Sequence, residues 1–243
     1  MANHYDNKVI VLTYHHVGAA GPYSLRSDLF RSHLNAIKEQ GYNVIGIDAF
    51  LRFCRQGKVV SDAVLLTFDD GWSDFYTHAY PELSASRCPA VGFVIVSRIM
   101  KSNRLTWDQM REMERNGGIA FFSHSYDQHR KINGKPVLLG PIERKKEARK
   151  ETMAEYRQRM KRDFRLAGQL LSEQLGRRPN LLCFPYGAYN GTVLKAAKDA
   201  GVELCFTTKK GINARGQYEI YRLNAGVPDM TPRKLLNLLK EYD

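Results

Sequence analysis

At 243 residues, with 43% hydrophobic and 26% charged side chains, the chain has the length and composition of an ordinary soluble protein that buries one full core. No Pro/Gly/Ser-rich linker, low-complexity tract, internal repeat or apolar run of membrane-spanning length interrupts it, which excludes a repeat array and a membrane-spanning protein and leaves one domain over residues 1–243 as the expectation. The 37 Lys and Arg against 25 Asp and Glu, a net charge of +12, favour anionic surroundings without choosing among nucleic acid, anionic lipid and acidic wall polymers.

The opening MANHYDNKVIV has no basic segment leading into an apolar signal core. Seven short β-branched and aromatic runs follow: Lys8 to Tyr14, Asn43 to Ile47, Ala63 to Phe68, Ala90 to Val96, Gly118 to Ser123, Asn180 to Phe184 and Glu203 to Thr207. Their near-continuous hydrophobicity predicts strands buried on both faces. Helical patterns lie between them, at Asp28 to Gln40, Ala79 to Ser86, Trp107 to Arg115, Ile142 to Leu175 and Thr192 to Ala200. Ser27 is placed to cap the first and Gly41 to stop it. Both charge signs alternate between Glu143 and Arg165, the pattern of a solvated helix face. No nucleic-acid-binding signature accompanies the basic excess, so a nucleic-acid partner is not expected. Cys54, Cys88, Cys183 and Cys205 form no CxxC pair and read as buried thiols.

Strands alternating with helices predict a parallel sheet of α/β class, and about seven units in this length predict a distorted or incomplete (β/α) barrel. A doubly wound sheet is not excluded by periodicity alone. In such barrels chemistry gathers at the carboxyl ends of the strands, and reactive residue types stand there. One run ends in Tyr14-His15-His16, another in Asp69-Asp70-Gly71, another in His124-Ser125-Tyr126-Asp127-Gln128-His129, and another in Phe184-Pro185-Tyr186-Gly187. Each alone also describes an ordinary turn or unrelated polar residues. Together they suit a metal site. One carboxylate ligates an ion that acidifies water while its neighbour takes a proton. On a straight helix His124 and His129 would stand about 140° apart, so a loop is needed to bring both imidazoles to one ion. Two His and one Asp then form a zinc-type ligand set, which nickel or cobalt also fits.

Thr67-Phe68-Asp69-Asp70-Gly71, the segment His124 to His129 and Pro185-Tyr186-Gly187 resemble the three motifs of the NodB-type polysaccharide deacetylases, carbohydrate esterase family four. The wider family spaces its histidines His-Ser/Thr-x-x-His. The extra residue here, with Tyr14-His15-His16-Val17, is similar to the subgroup that deacetylates poly-N-acetylglucosamine in biofilm matrix synthesis. The resemblance implies Asp69 as general base; Asp70, His124 and His129 as metal ligands; His15 as the acid that protonates the leaving amine; and Tyr186 as the backbone oxyanion donor. It also implies a polysaccharide substrate, a monomer and an extracellular or cell-surface location. Two departures stand out. Cys183 occupies the place of the arginine that orients the family's catalytic aspartate, for which Arg222 is the expected substitute. Arg222-Leu223-Asn224 stands where the wider family has Leu-x-His, which turns the acid role toward His15.

Gly134 to Ile142 places an apolar patch in an expected loop. Either the loop packs on itself, or Val137, Leu138 and Leu139 touch a membrane or wall while nearby basic residues meet anionic groups. The competing functional readings are a peptidoglycan or chitin oligosaccharide deacetylase, a hydrolase of small cyclic amides, and a non-catalytic glycan-binding or wall-binding protein.

Overall fold

The computed structural model describes residues 4–144, 148–176 and 179–242. Its main sheet holds β1 (Val9–Tyr14), β2 (Asn43–Val44), β3 (Ala63–Asp70), β4 (Ala90–Val94), β5 (Ile119–Ser123), β6 (Leu181–Cys183), β7 (Leu204–Phe206), β8 (Glu219–Ile220) and β9 (Leu223–Asn224). Eight parallel strands run in the order β8-β7-β6-β5-β4-β3-β1-β9, and β2 pairs with the first residues of β3. Around them lie α1 (Ser27–Glu39), α2 (Ile47–Gln56), α3 (Tyr80–Ala85), α4 (Trp107–Gly117), α5 (Met153–Leu175), α6 (Gly191–Asp199) and α7 (Pro232–Lys240).

The two ends of the sheet are one piece of chain. Ile220 pairs with Phe206 on β7, while Leu223 pairs with Leu12 on β1. Only Tyr221 and Arg222 separate β8 from β9. The sheet therefore curls into the distorted, incomplete (β/α) barrel that the alternating pattern predicts. All seven predicted strand runs are present. The eighth and ninth pieces escape the sequence because each is two residues long and flanked by polar groups.

The pleat sorts side chains between two cores, since alternate residues of a strand face opposite sides. Val9, Val11, Ala63, Leu65, Phe93, Cys183, Phe206 and Ile220 fill the inside of the curl, with Phe50 and Phe53 of α2 packed against them. Ile10, Leu12, Tyr14, Val64, Leu66 and Phe68 face outward onto Phe30, Leu34 and Ile37 of α1 and Leu235 and Leu239 of α7. A third cluster joins Leu182, Phe184 and Cys205 to Tyr156, Met160 and Phe164 of α5 and to α6. At about 25 cal/mol per Å² of apolar area, such two-sided burial is the main stabilising term of a parallel sheet.

Several boundaries differ from expectation for local reasons. Ser27 begins α1 instead of capping it, because the preceding Arg26 takes the extended cap position without a side-chain cap bond. The helix expected from Ile142 starts only at Met153. There Thr152 and Glu155 form a capping box that satisfies the free amides of the first turn. Glu143–Arg144 and Arg149–Lys150 pair as a small antiparallel ribbon instead, and residues 145–147 of the charged run lie outside the described residues.

For two of the three apolar residues in the Gly134 to Ile142 loop the self-packing alternative holds. Val137 and Leu138 are buried, and Leu138 joins the α5 and α6 cluster, with its carbonyl accepting from the Tyr156 hydroxyl. Of the three, only Leu139 is exposed. No helix among the described residues is long and apolar enough to cross a membrane. All four cysteines are unpaired, and three are buried as expected.

Candidate active site

Strand parity sets the site. Asp69 falls on the inward register of Ala63, Leu65 and Thr67, so its carboxylate points into the curl. Arg222 lies two residues after inward-facing Ile220 and meets it there. The guanidinium grips Asp69 through two parallel bonds, Nη1 to Oδ1 and Nη2 to Oδ2, each 2.8 Å. It also donates to the Thr207 carbonyl at 2.8 Å and to Cys183 Sγ at 3.0 Å. Both members of the pair are nearly fully buried. Burial alone would raise the Asp69 pKa, but the Arg222 charge and hydrogen bonds outweigh it and bring the carboxyl down to about 2. Burial likewise opposes the charged guanidinium, and Asp69 holds it protonated.

Asp70 breaks the alternation. Its φ of 75° and that of Gly71, 69°, turn the chain through the left-handed region. A Cβ on Gly71 would lie 2.9 Å from Val94 Cγ1, so the turn is reserved for glycine. The turn leaves Asp69 facing Arg222 and swings Asp70 toward the histidine loop. Asp70 Oδ1 lies 3.1 Å from His129 Nε2 and 3.4 Å from His124 Nε2. Yet this buried oxygen has no hydrogen-bond partner among the described residues. Trp72 Nε1 donates to the other oxygen at 3.1 Å, and Arg104, stacked 3.3 Å from the Trp72 ring centroid, donates to the Asp70 carbonyl at 2.8 Å. Burial pushes the Asp70 carboxyl up, but contact with His129 and the His124 imidazole hold it well below the usual range.

The loop after β5 solves the spacing problem of the two histidines. Ser125 has φ 69°, and its hydroxyl accepts from Gln128 N at 3.0 Å. Asp163, buried on α5, accepts the amides of Tyr126 and Asp127 at 2.9 Å each and the Gln128 side-chain amide at 2.7 Å. Arg98 donates to the His129 carbonyl at 2.8 Å. So clamped, the loop brings the two imidazoles to 5.2 Å between centroids. His124 Nδ1 donates to the Cys183 carbonyl at 2.9 Å, which leaves the Nε2 lone pair facing Asp70. Burial lowers the His124 pKa to about 4, keeping the ring neutral and able to ligate.

One ligand atom each from Asp70, His124 and His129 lies within 4.8 Å of the others. The partnerless Asp70 oxygen between two imidazole nitrogens fits a divalent cation with mixed N and O donors. Asp69, His124 and Cys183 satisfy the same distance test, but Arg222 already occupies both Asp69 oxygens and the Cys183 sulfur. A cation is repelled there.

His15 follows β1, with Nε2 3.9 Å from Asp69 Oδ2. His16 turns away, 2.5 Å from Asp74 Oδ2 and against Trp72. Tyr186 has φ 59° within the bend Pro185–Gly187. The Gly187 and Ala188 amides are engaged by Phe184 and Pro185 carbonyls, while no described residue accepts from the Tyr186 amide. Its ring lies 4.2 Å from that of His129. A Cβ on Gly187 would fall 2.0 Å from Thr208 Oγ1, so that position is glycine by necessity. These groups line one cleft of about 390 Å³, with Thr13, Tyr23, Lys131, Thr208, Lys210 and Asn224.

Every site residue expected from the sequence thus meets in this cleft: Asp69, Asp70, His15, His124, His129, Tyr186 and Arg222. The sequence reading missed Trp72, Arg104 and Asp163. Asp163 was legible in principle, since it falls on the buried stripe of Tyr156, Met160, Phe164 and Ala167 and not on the solvated face assigned to the whole charged run.

Residues 56–205 match the family model described as polysaccharide deacetylase. The poly-beta-1,6-N-acetyl-D-glucosamine N-deacetylase of Escherichia coli K12 is 29% identical over 235 residues, covering 88% of this chain and 34% of the relative. The chain therefore spans about a third of that protein's length. The enzyme of the same name from Staphylococcus aureus MRSA252 is 24% identical over 84% of this chain and 73% of its own. A solved de-N-acetylase from Aggregatibacter actinomycetemcomitans superposes with a TM-score of 0.84 at 28% identity, covering 95% of this chain and 99% of the other.

Proposed function

Because the chain belongs to the polysaccharide deacetylase family, we propose that it is the metal-dependent hydrolase that removes N-acetyl groups from poly-β-1,6-N-acetyl-D-glucosamine in biofilm exopolysaccharide synthesis, acting outside the cell or at its surface. The observation that carries the reading is a division of labour between adjacent carboxylates. Asp69 is committed to Arg222, and Asp70 offers a partnerless oxygen between two imidazole nitrogens. A glycan-binding surface has no need of that pairing.

Asp70, His124 and His129 would hold the metal, with zinc the best match to their donors and nickel or cobalt also accommodated. When bound, the ion would supply Lewis acidity that lowers the pKa of water toward ~7. Asp69, ionised and fixed by Arg222, takes a proton from the attacking water. The Tyr186 amide, free of a protein acceptor, donates to the amide oxygen as charge develops on it. His15 reaches the cleft from the end of β1 and hands a proton to the leaving nitrogen. The carbon–nitrogen bond breaks, a carbon–oxygen bond forms, and acetate and a glucosamine residue result.

Acetate release from a poly-N-acetylglucosamine oligomer tests the proposal, measured with metal-stripped protein, with divalent metal restored, and with Asp69→Asn. The expected result is release only with metal and a fall of about 10²- to 10⁴-fold in the variant. Release from chitin or peptidoglycan fragments instead would keep the mechanism and replace the substrate. Glycan binding without release under any metal would replace the enzyme with a binding protein.

A further inference from the structure

The reaction changes the charge of its own substrate. Each turnover converts a neutral acetamide into a primary amine, which resembles an α-amino group of pKa about 8 and is largely protonated near neutrality. The polymer becomes a polycation as it is processed, and the charges lining the cleft decide how the site responds.

Besides the histidines, the charged residues lining the cleft are Asp69, Asp70, Lys131, Lys210 and Arg222. Asp69 and Arg222 neutralise one another in a buried bidentate pair. Asp70 faces His124 and His129. Lys131 and Lys210 remain, both exposed and without an ion pair among the described residues. Lys131 leaves the histidine loop with its Nζ 4.6 Å from the centroid of the Tyr186 ring, which itself packs on His129. Lys210 follows Lys209, but only Lys209 is paired, at 2.9 Å from Glu219. Asp127, on the histidine loop, is occupied by Arg130 at 3.4 Å. Among the described residues the one carboxylate oxygen of the cleft without a hydrogen-bond partner is Asp70 Oδ1, itself buried between the two imidazoles.

Resting on the polysaccharide-deacetylase reading above, we infer that Lys131 and Lys210 make this cleft select against its own product, admitting acetylated, neutral stretches of glycan and rejecting those in which a sugar beside the reacting one already carries a free amine. Each lysine repels an ammonium at a wet cleft mouth only weakly, but the two act together. The net preference is about fivefold at low salt and fades as rising ionic strength shortens the Debye length. Deacetylation then comes out sparse and spaced along the chain, not in blocks.

The test uses two synthetic pentamers of β-1,6-linked sugars, one fully acetylated and one with a single glucosamine next to the central N-acetyl sugar. Their binding to the metal-free protein is measured by calorimetry, and acetate release by the metal-loaded protein, at low and high salt. The wild-type protein is expected to prefer the fully acetylated pentamer about fivefold in both readouts at low salt. Lys131→Gln/Lys210→Gln and high salt should each bring the ratio close to one. Equal handling of the two pentamers by the wild type, or a preference that survives in the double variant, overturns the inference. Failure to bind or process even the fully acetylated pentamer overturns the substrate reading, and this inference with it.

Discussion

Asp69 and Arg222 carry the site's most consequential contact. Replacing Arg222 with Met strands a buried carboxylate, and losing one partner of a buried pair costs about 3–5 kcal/mol. The expected outcome is a matching loss in chemical denaturation together with a large fall in acetate release. Arg222→Lys should recover part of the stability but little activity, because an ammonium cannot grip both oxygens at once. Trp72→Phe keeps the ring beneath Arg104 but removes the donor to Asp70 Oδ2. It should weaken metal binding by about 10-fold in a competition titration with little change in melting temperature. The carboxylates and histidines were legible because they sit next to long apolar runs whose ends announce themselves. Arg222 stood in a polar segment, and its place followed only from the absence of an arginine at Cys183. The parity that aims it at Asp69, two residues beyond Ile220, needed the strand register. Trp72 and Arg104 carried no pattern, since their contacts depend on a turn with two successive residues at positive φ.

The histidine loop depends on α5. Asp163 accepts three N–H groups from Tyr126, Asp127 and Gln128, and Arg159 fixes the far side of Gln128 at 2.7 Å. Asp163→Ala releases the loop that presents both imidazoles, so metal affinity should fall about 10- to 100-fold in a titration that leaves the helix content unchanged. The neighbouring loop behaves as core. Leu138→Ala should cost about 2–5 kcal/mol of stability by opening a cavity against Tyr156 and Met160, whereas a surface anchor would lose vesicle binding and keep its melting temperature. Periodicity found the strands and most helices because each buries a continuous face. It could not find the start of α5, where a capping box overrode a charge pattern that continues unbroken across Thr152. Nor could it separate a buried leucine from an exposed one in a nine-residue loop, since both readings use the same letters.

Acid sensitivity of the molecule includes a contribution from a residue that does not line the cleft. His33 is buried on α1, bonded to Tyr14 Oη at 3.2 Å and to the Met230 carbonyl at 2.6 Å. Burial lowers its pKa below the usual value of 6.5, although the bond to Met230 partly opposes the shift. The unfolded chain therefore binds this proton more readily than the folded one, so stability falls as pH drops from about 6.5 toward the lower folded value. In His33→Phe that segment of the pH–stability curve should flatten, as read by urea midpoints across pH 7 to 5.

The segment 219–224 that joins the two ends of the sheet also delivers Arg222. Until it docks, Asp69 has no counter-charge, and the inward face of β3 ends in a carboxylate that resists burial. The segment that closes the sheet is thus the one that makes the interior electrically acceptable. A growing chain cannot assemble a working site before its barrel is drawn together. In this fold the closing of the sheet and the charge-balancing of the cleft are a single event.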